Sequence, residues 1–254
     1  MRNLNFQRHG SGLPLIILHG LFGSLDNWQT VGRILGENFQ VFTIDQRNHG
    51  RSPHSDEFNY AVMADDLRDF MAEHQLPRAH VLGHSMGGKT AMHFALRHPQ
   101  LVEKLIVVDI APRAYAPAHL HIFAALASLD LTAYRDRNQI AGALTPAIPD
   151  APTRQFLLKN ISRDDTGAFR WKLNLPAIRA NYDSLNAALE PGPAFVGPVL
   201  FLKGGRSDYL SEADVPLIHQ LFPCTTVKTI SEAGHWVHAD APDQFIKHVL
   251  RFLQ

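Results

Sequence analysis

The chain has 254 residues, 45% of them hydrophobic, a size that suits one α/β unit with a large core better than two domains. Lys plus Arg (24) balance Asp plus Glu (24), so no net field recruits nucleic acid or an anionic membrane, and a small-molecule partner is expected. The single cysteine, Cys224, excludes an internal disulfide framework and reads as an ordinary structural thiol that permits a reducing compartment. The first residues lack the apolar stretch of a signal peptide, and no apolar run approaches the ~20 residues of a membrane span. The expectation is a cytoplasmic protein, monomeric or weakly dimeric, with no membrane span.

Residues 3–8 alternate enough for an edge strand, and His9-Gly-Ser-Gly12 is a turn. Residues 13–18 form an almost unbroken apolar run, as in a strand buried on both faces of a parallel sheet. It ends in His19-Gly20-Leu21-Phe22-Gly23-Ser24 and passes to a helix over 25–35. Residues 39–44 are the next strand, followed by the polar loop Asp45-Gln-Arg-Asn-His-Gly-Arg-Ser52. In residues 60–75, Met63, Leu67, Phe70, Met71 and His74 recur at helical spacing, which predicts an amphipathic crossover helix. A strand at 81–82, a turn, a helix from about Met86 toward His98 and a strand over 101–108 follow. This alternation predicts a doubly wound, mostly parallel α/β sheet.

The alternation stops over residues 112–193. That block has helix-like stretches at 119–129, 152–160 and 175–189 and breakers at Pro146, Pro149, Gly167, Pro191 and Pro193, with no convincing buried strand. It is expected to be a helical cap inserted into a core made of residues 1–111 and 194–254. Phe123, Leu126, Phe156, Leu157, Phe169 and Trp171 could line a pocket beneath it, although most of them are expected simply to pack it. The sheet resumes at 199–203, followed by Gly204-Gly-Arg-Ser-Asp-Tyr209, a helix over 211–221, a strand over 226–230, Ala233-Gly-His-Trp-Val-His238 and a closing helix over 241–253.

Two incompatible motifs overlap in residues 81–90. Gly83-His84-Ser85-Met86-Gly87 fits G-x-S-x-G, the sharp strand-to-helix turn that exposes a nucleophilic serine. Gly83-x-x-x-x-Gly88-Lys89-Thr90 fits a phosphate-binding loop, with Asp109 at the end of an apolar strand as a possible Mg²⁺ carboxylate. Both demand the same local structure, so distant residues must choose. A serine needs a base and a carboxylate that orients the base. His235 lies just past the last strand, and Asp109 and Asp208 end two strands between Ser85 and His235 in the chain, so either carboxylate could complete the order serine, acid, histidine. Two oxyanion donors are also needed: the Met86 N–H, and that of Leu21 or Phe22 in the loop after the first buried strand. A nucleotide-binding protein has no use for the 19–24, 45–52 and 233–238 loops, which all fall at strand ends. Lys89 is then expected to be a cation on the surface of its helix. No ligand-like spacing groups the 15 histidines with carboxylates or a thiol, so no metal is expected.

Five motifs together resemble those of small bacterial acyl esterases and thioesterases of the α/β-hydrolase fold, a subgroup related to a eukaryotic mitochondrial hydrolase. They are His19-Gly-Leu-Phe-Gly-Ser24, Asp45-x-Arg-Asn-His-Gly50, Gly83-His-Ser-Met-Gly-Gly-Lys89, Val108-Asp-Ile-Ala-Pro112 and Ala233-Gly-His-Trp-Val-His-Ala239. The resemblance implies a cofactor-free serine hydrolase with a helical lid, acting on short to medium acyl esters or thioesters. It favours Asp109 slightly over Asp208 as the acid. The competing functions are hydrolysis of another bond by the same residues, as in C–C hydrolases, cofactor-free haloperoxidase-like chemistry, and a non-catalytic ligand receptor on this fold.

Overall fold

The computed structural model describes residues 3–190 and 192–254. The breaker expected at Pro191 lies outside them. In chain order the elements are β1 (Phe6–His9), β2 (Pro14–Leu18), α1 (Gln29–Leu35), β3 (Gln40–Ile44), α2 (Tyr60–Glu73), β4 (Ala79–His84), α3 (Met86–Arg97) and β5 (Val102–Val108). Then follow α4 (Leu120–Ala127), α5 (Arg137–Leu144), α6 (Ala151–Leu158), β6 (Ile161–Arg163), β7 (Phe169–Trp171), α7 (Leu175–Ala180) and α8 (Tyr182–Asn186). The chain closes with β8 (Val199–Gly204), α9 (Val215–Leu221), β9 (Thr225–Ile230), α10 (Val237–Asp240) and α11 (Pro242–Leu253).

Seven strands form one sheet in the order β1-β3-β2-β4-β5-β8-β9, parallel except for β1, which pairs antiparallel with β3 at the edge. The doubly wound sheet expected from the alternation is the observed fold. Its middle strand β2 is apolar throughout because both faces are covered. Alternate side chains of β2 divide between them: Ile16 and Leu18 pack with Leu67 and Phe70 of α2 and Met92 of α3, while Leu15 and Ile17 pack with Leu35 of α1 and Phe245 and Val249 of α11. Each such side chain taken fully out of water contributes roughly 1.5–3 kcal/mol. The crossover helix α2 starts where Asn59 Oδ1 accepts the Val62 N–H (3.0 Å), a side-chain N-cap.

Parallel order puts the C-terminal ends of β2, β4, β5 and β8 along one edge, and the loops that carry His19, Ser85, Asp109 and Ser207 all leave from it. The segment between β5 and β8 sits over this edge. Its helices share a third apolar core with residues of the sheet unit, Phe22, Tyr60 and Met86 among them.

This segment departs from the sequence expectation in three ways. It holds a fourth helical region, α5, begun where Asp136 Oδ1 accepts the Asn138 and Gln139 N–H groups. The expected 175–189 helix is two short ones, broken at Asn181, whose side chain donates to the Ala177 carbonyl (2.8 Å) and to the Asp56 carbonyl (2.8 Å). It also contains a small antiparallel hairpin, β6 with β7, where no strand was expected. Asp164 Oδ1 accepts the Thr166 and Ala168 N–H groups and Gly167 takes φ +83°, so the turn itself drives the pairing of two three-residue strands.

Candidate active site

Between β4 and α3 only Ser85 makes the turn, with φ 53° and ψ −118°. A non-glycine residue held there stores on the order of 1–3 kcal/mol of strain, which the surroundings must offset. The Ser85 N–H donates to the Val108 carbonyl of β5 (3.0 Å), and the Lys89 N–H donates to the Ser85 carbonyl (3.0 Å). The flanking glycines are steric requirements. A Cβ on Gly83 would stand 2.1 Å from the Gly87 carbonyl oxygen, and one on Gly87 would stand 2.4 Å from that of Leu18. Ser85 is thereby held half-buried at the strand edge, where it lines two cavities, one of about 500 Å³ and one of about 350 Å³.

The structure brings His235 and Asp109 together. Asp109 follows β5, fully buried, and its φ of 51° turns the side chain across the sheet edge. Its Oδ2 accepts from His235 Nδ1 (2.7 Å) and from the Ser207 hydroxyl, and its Oδ1 accepts the Gly204 N–H (2.9 Å). A carboxylate that accepts three donors is fixed in orientation and leaves the imidazole one pose. With its proton on Nδ1, His235 turns Nε2 away from the carboxylate, and it lines the larger cavity beside Ser85. Asp208 is not brought to His235. Its side chain is exposed, and its carbonyl accepts from Arg113 Nη2 (3.3 Å).

The loop after β2 is pinned from both sides. His19 Nε2 accepts the Gln46 N–H (3.0 Å), so the ring proton sits on Nδ1 and donates to the Gly20 carbonyl (2.8 Å). Burial holds this ring neutral and lowers its pKa to about 4. A turn closed by the Gly23 N–H on the Gly20 carbonyl (2.9 Å) leaves Leu21 and Phe22 at its tip, Phe22 with φ 58°. The Phe22 carbonyl accepts from Asn160 Nδ2 of the inserted segment (2.6 Å). The polar 45–52 loop serves as a brace: Asp45 accepts the Leu25 N–H (2.8 Å) and the Arg51 N–H (2.9 Å), and Arg47 forms a buried ion pair with Asp66 of α2.

A family model described as "alpha/beta hydrolase fold" matches residues 14–242. The chain belongs to the α/β-hydrolase family. Across 98% of its length it is 38% identical to an sn-1-specific diacylglycerol lipase, ABHD11, of Danio rerio, covering 81% of that protein. It is 35% identical to esterase YbfF of Escherichia coli, with 97% of this chain and 95% of that one matched. Among solved structures, a marine microorganism esterase superposes with a TM-score of 0.96 at 46% identity, covering 98% of each chain. The resemblance drawn from five motifs therefore extends over the whole α/β-hydrolase chain.

Against this hydrolase background, Lys89 is not the surface cation expected. It is 1% exposed, and its Nζ donates to the carbonyls of Arg113 (2.8 Å) and Ala187 (2.6 Å). Burial, with a smaller contribution from the Arg113 charge, lowers its pKa to about 7. Helical spacing put Lys89 on a face of α3, but that face is covered by the inserted segment. Its donors are spent on backbone carbonyls, which leaves no phosphate cradle.

Several residues around His235 were not singled out from the sequence. The Tyr209 ring stacks on His235 (centroids 4.0 Å apart, 24° between planes), and its hydroxyl lies 3.5 Å from His119 Nε2. His119, held neutral by burial with a pKa near 4, bonds Tyr182 through Nδ1 (2.6 Å). His84 Nε2 donates to the His235 carbonyl (2.9 Å). A tyrosine after the Gly-Gly-Arg-Ser-Asp run was the available signal for Tyr209; none marked His119. Of the apolar residues expected over the pocket, Phe156 and Leu157 line the larger cavity. Phe123, Leu126 and Trp171 line a separate groove, and Phe169 is packed in the core that the segment shares with the sheet unit. Among the described residues, no group of three or more His, Cys, Asp or Glu is arranged to hold a metal ion, and no helix is long and apolar enough to cross a membrane.

Proposed function

We propose that this protein hydrolyses short to medium acyl carboxylic esters or acyl thioesters through an acyl-Ser85 intermediate. Ester hydrolysis is the activity named in its full-length relatives, and the protein is an ester hydrolase. The observation that carries the residue assignment is the His235–Asp109 hydrogen bond (2.7 Å) beside a cavity that Ser85 also lines. In this reading His235 Nε2 takes the Ser85 hydroxyl proton as Oγ attacks the acyl carbonyl, and Asp109 stabilises the imidazolium through Nδ1. The negative oxygen of the tetrahedral intermediate is met by the Met86 N–H at the start of α3 and by that of Leu21 or Phe22. Leu21 fits better, since it lines both cavities that contain Ser85. The intermediate collapses as the alcohol or thiol leaves with the proton from His235, and water, deprotonated by the same nitrogen, then releases the acid.

The two cavities suggest which part of the substrate goes where. The smaller, about 350 Å³, contains Met86 and Leu21 and takes the acyl group; the larger, about 500 Å³, contains His235 and takes the leaving group that must accept its proton. Both lie within the roughly 300–1,000 Å³ of small-molecule sites. Residues 112–193 act as the cap that walls them. A cytoplasmic setting belongs to the same proposal, supported by a single, exposed cysteine. Hydrolysis of C–C bonds, haloperoxidase-like chemistry and a receptor role are disfavoured by the named activities of the relatives.

The test is Ser85→Ala. Turnover of p-nitrophenyl butyrate and covalent labelling by a fluorophosphonate should both vanish; labelling that persists in the variant overturns the acyl-enzyme reading.

A further inference from the structure

Lys89 lies one helical turn after Ser85, its N–H bonded to the Ser85 carbonyl (3.0 Å). Its side chain reaches the two crossings that join the inserted segment to the sheet unit. The outgoing crossing supplies the Arg113 carbonyl and the returning one the Ala187 carbonyl. The crossings are also tied to each other, the Tyr115 N–H donating to the Asn186 carbonyl (2.8 Å) and the Leu189 N–H to the Pro112 carbonyl (2.8 Å). The ring faces of Tyr115 and Tyr60 flank the ammonium, with centroids 4.9 Å and 5.7 Å away. The same crossings make one side of the 350 Å³ cavity, through Tyr115, Leu185 and Asn186.

We propose that Lys89 is a specificity-determining positioning residue: by drawing both crossings onto the nucleophile's helix it fixes the wall of the smaller cavity and so limits acyl-chain length. This rests on the assignment of that cavity to the acyl group. The physical argument is one of donors. Burying an ammonium is costly, and an apolar side chain of equal length would fill the same space. What it would not do is satisfy two carbonyls of irregular backbone, which are costly to bury without a partner. Deprived of Nζ, the Arg113 and Ala187 carbonyls must turn toward water, and the crossings that carry them move away from α3. Because α3 also presents Ser85 and the Met86 N–H, the wall and the reacting atoms share one rigid element. The measured quantity is therefore selectivity among acyl groups.

The experiment compares Lys89→Met with wild type on p-nitrophenyl acetate, butyrate, hexanoate, octanoate and decanoate, alongside hydrogen exchange of the Tyr115 and Leu189 amides. The octanoate-to-acetate ratio of kcat/KM should rise about tenfold or more, the size of a one-methylene change in a fitted pocket. Exchange at both crossing amides should quicken while the β4 and β5 amides keep their protection. A uniform fall in rate across all chain lengths, or unchanged exchange at the crossings, overturns the proposal and leaves Lys89 a structural residue. Should Lys89→Met not fold, Lys89→Leu, which likewise brings no donor to the two carbonyls, is read in the same way, and a wild-type chain-length profile in it overturns the proposal. Fluorophosphonate labelling separates the two readings. If labelling does not depend on Ser85, the acyl-enzyme assignment fails, and hydrogen exchange still judges the latch.

Discussion

The sheet edge and the segment inserted above it are built on different physical terms. At the edge, position is fixed by backbone contacts with no slack: Gly83 against Gly87, Gly87 against Leu18, and Asp109 with three donors on a fully buried carboxylate. Above it, the insertion packs through an apolar core that it shares with Phe22, Tyr60 and Met86 of the sheet unit, and single polar ties supplement that packing. Among them are Asn160 to the Phe22 carbonyl, Asn174 to Asn48, Tyr60 to the Leu185 carbonyl, and Lys89 to both crossings. The edge should therefore govern whether the reaction occurs, and the insertion which substrate enters it.

The sharpest break in that contrast comes from the two carboxylates that sequence left open. Asp109→Asn should lower kcat by about 10³–10⁴-fold with little change in fold, because the amide presents the wrong partner to His235. Asp208→Asn, at an exposed side chain, should stay within about twofold of wild type. Steady-state kinetics on one short ester measure both, and equal losses would dissolve the distinction between them.

Acid should act next, and chiefly on the edge. Burial lowers His19 to about 4 and His49 and His238 to about 3, so the folded protein holds them neutral while an unfolded chain protonates them near 6.5. The unfolded state thus binds more protons below that value. Their contribution to stability is complete above about pH 6.5 and is lost as pH falls toward about 4 for His19 and about 3 for His49 and His238, on the order of 2 kcal/mol per ring at pH 5. Urea midpoints at pH 7.5, 6 and 5 should fall in that order; a midpoint that is flat across this range would show that these rings do not couple to unfolding.

The smallest effect tests the insertion's ties. Asn160→Ala leaves the Phe22 carbonyl without its side-chain donor and should cost about 1–3 kcal/mol of stability. Because that tie holds the tip of the Leu21–Phe22 loop, kcat/KM should fall more for octanoate than for acetate esters. Thermal melts and the chain-length profile check the two halves, and a loss in kcat alone would move this tie from the insertion to the chemistry.

Much of the edge was legible because it is local. Gly83-x-Ser85-x-Gly87 encodes a turn whose geometry excludes a Cβ at either end, and the apolar run at 13–18 reads as a strand covered on both faces. His235 was legible from its place after the last strand. Which carboxylate meets His235 was not, since Asp109 and Asp208 follow neighbouring strands, β5 and β8, and nothing in their identity says which one turns inward. Ser207, Tyr209 and His119 gather around the Asp109–His235 pair, and their contacts are not spelled by any spacing. The β6–β7 hairpin escaped notice because three-residue strands leave no period to read, although Asp164 and Gly167 carried the turn.

By itself, then, the sequence determined the alternation of elements, the elbow at Ser85 and the set of loops at one edge, because each follows from local sterics and periodic burial. Tertiary structure alone decided that Asp109 faces His235, through a backbone φ of 51° at the end of β5, and that Asp208 remains exposed. It alone decided the fate of Lys89 as well. The helix that carries it has a polar face by pattern, and only the fold of residues far along the chain put two carbonyls over that face and buried the charge between them.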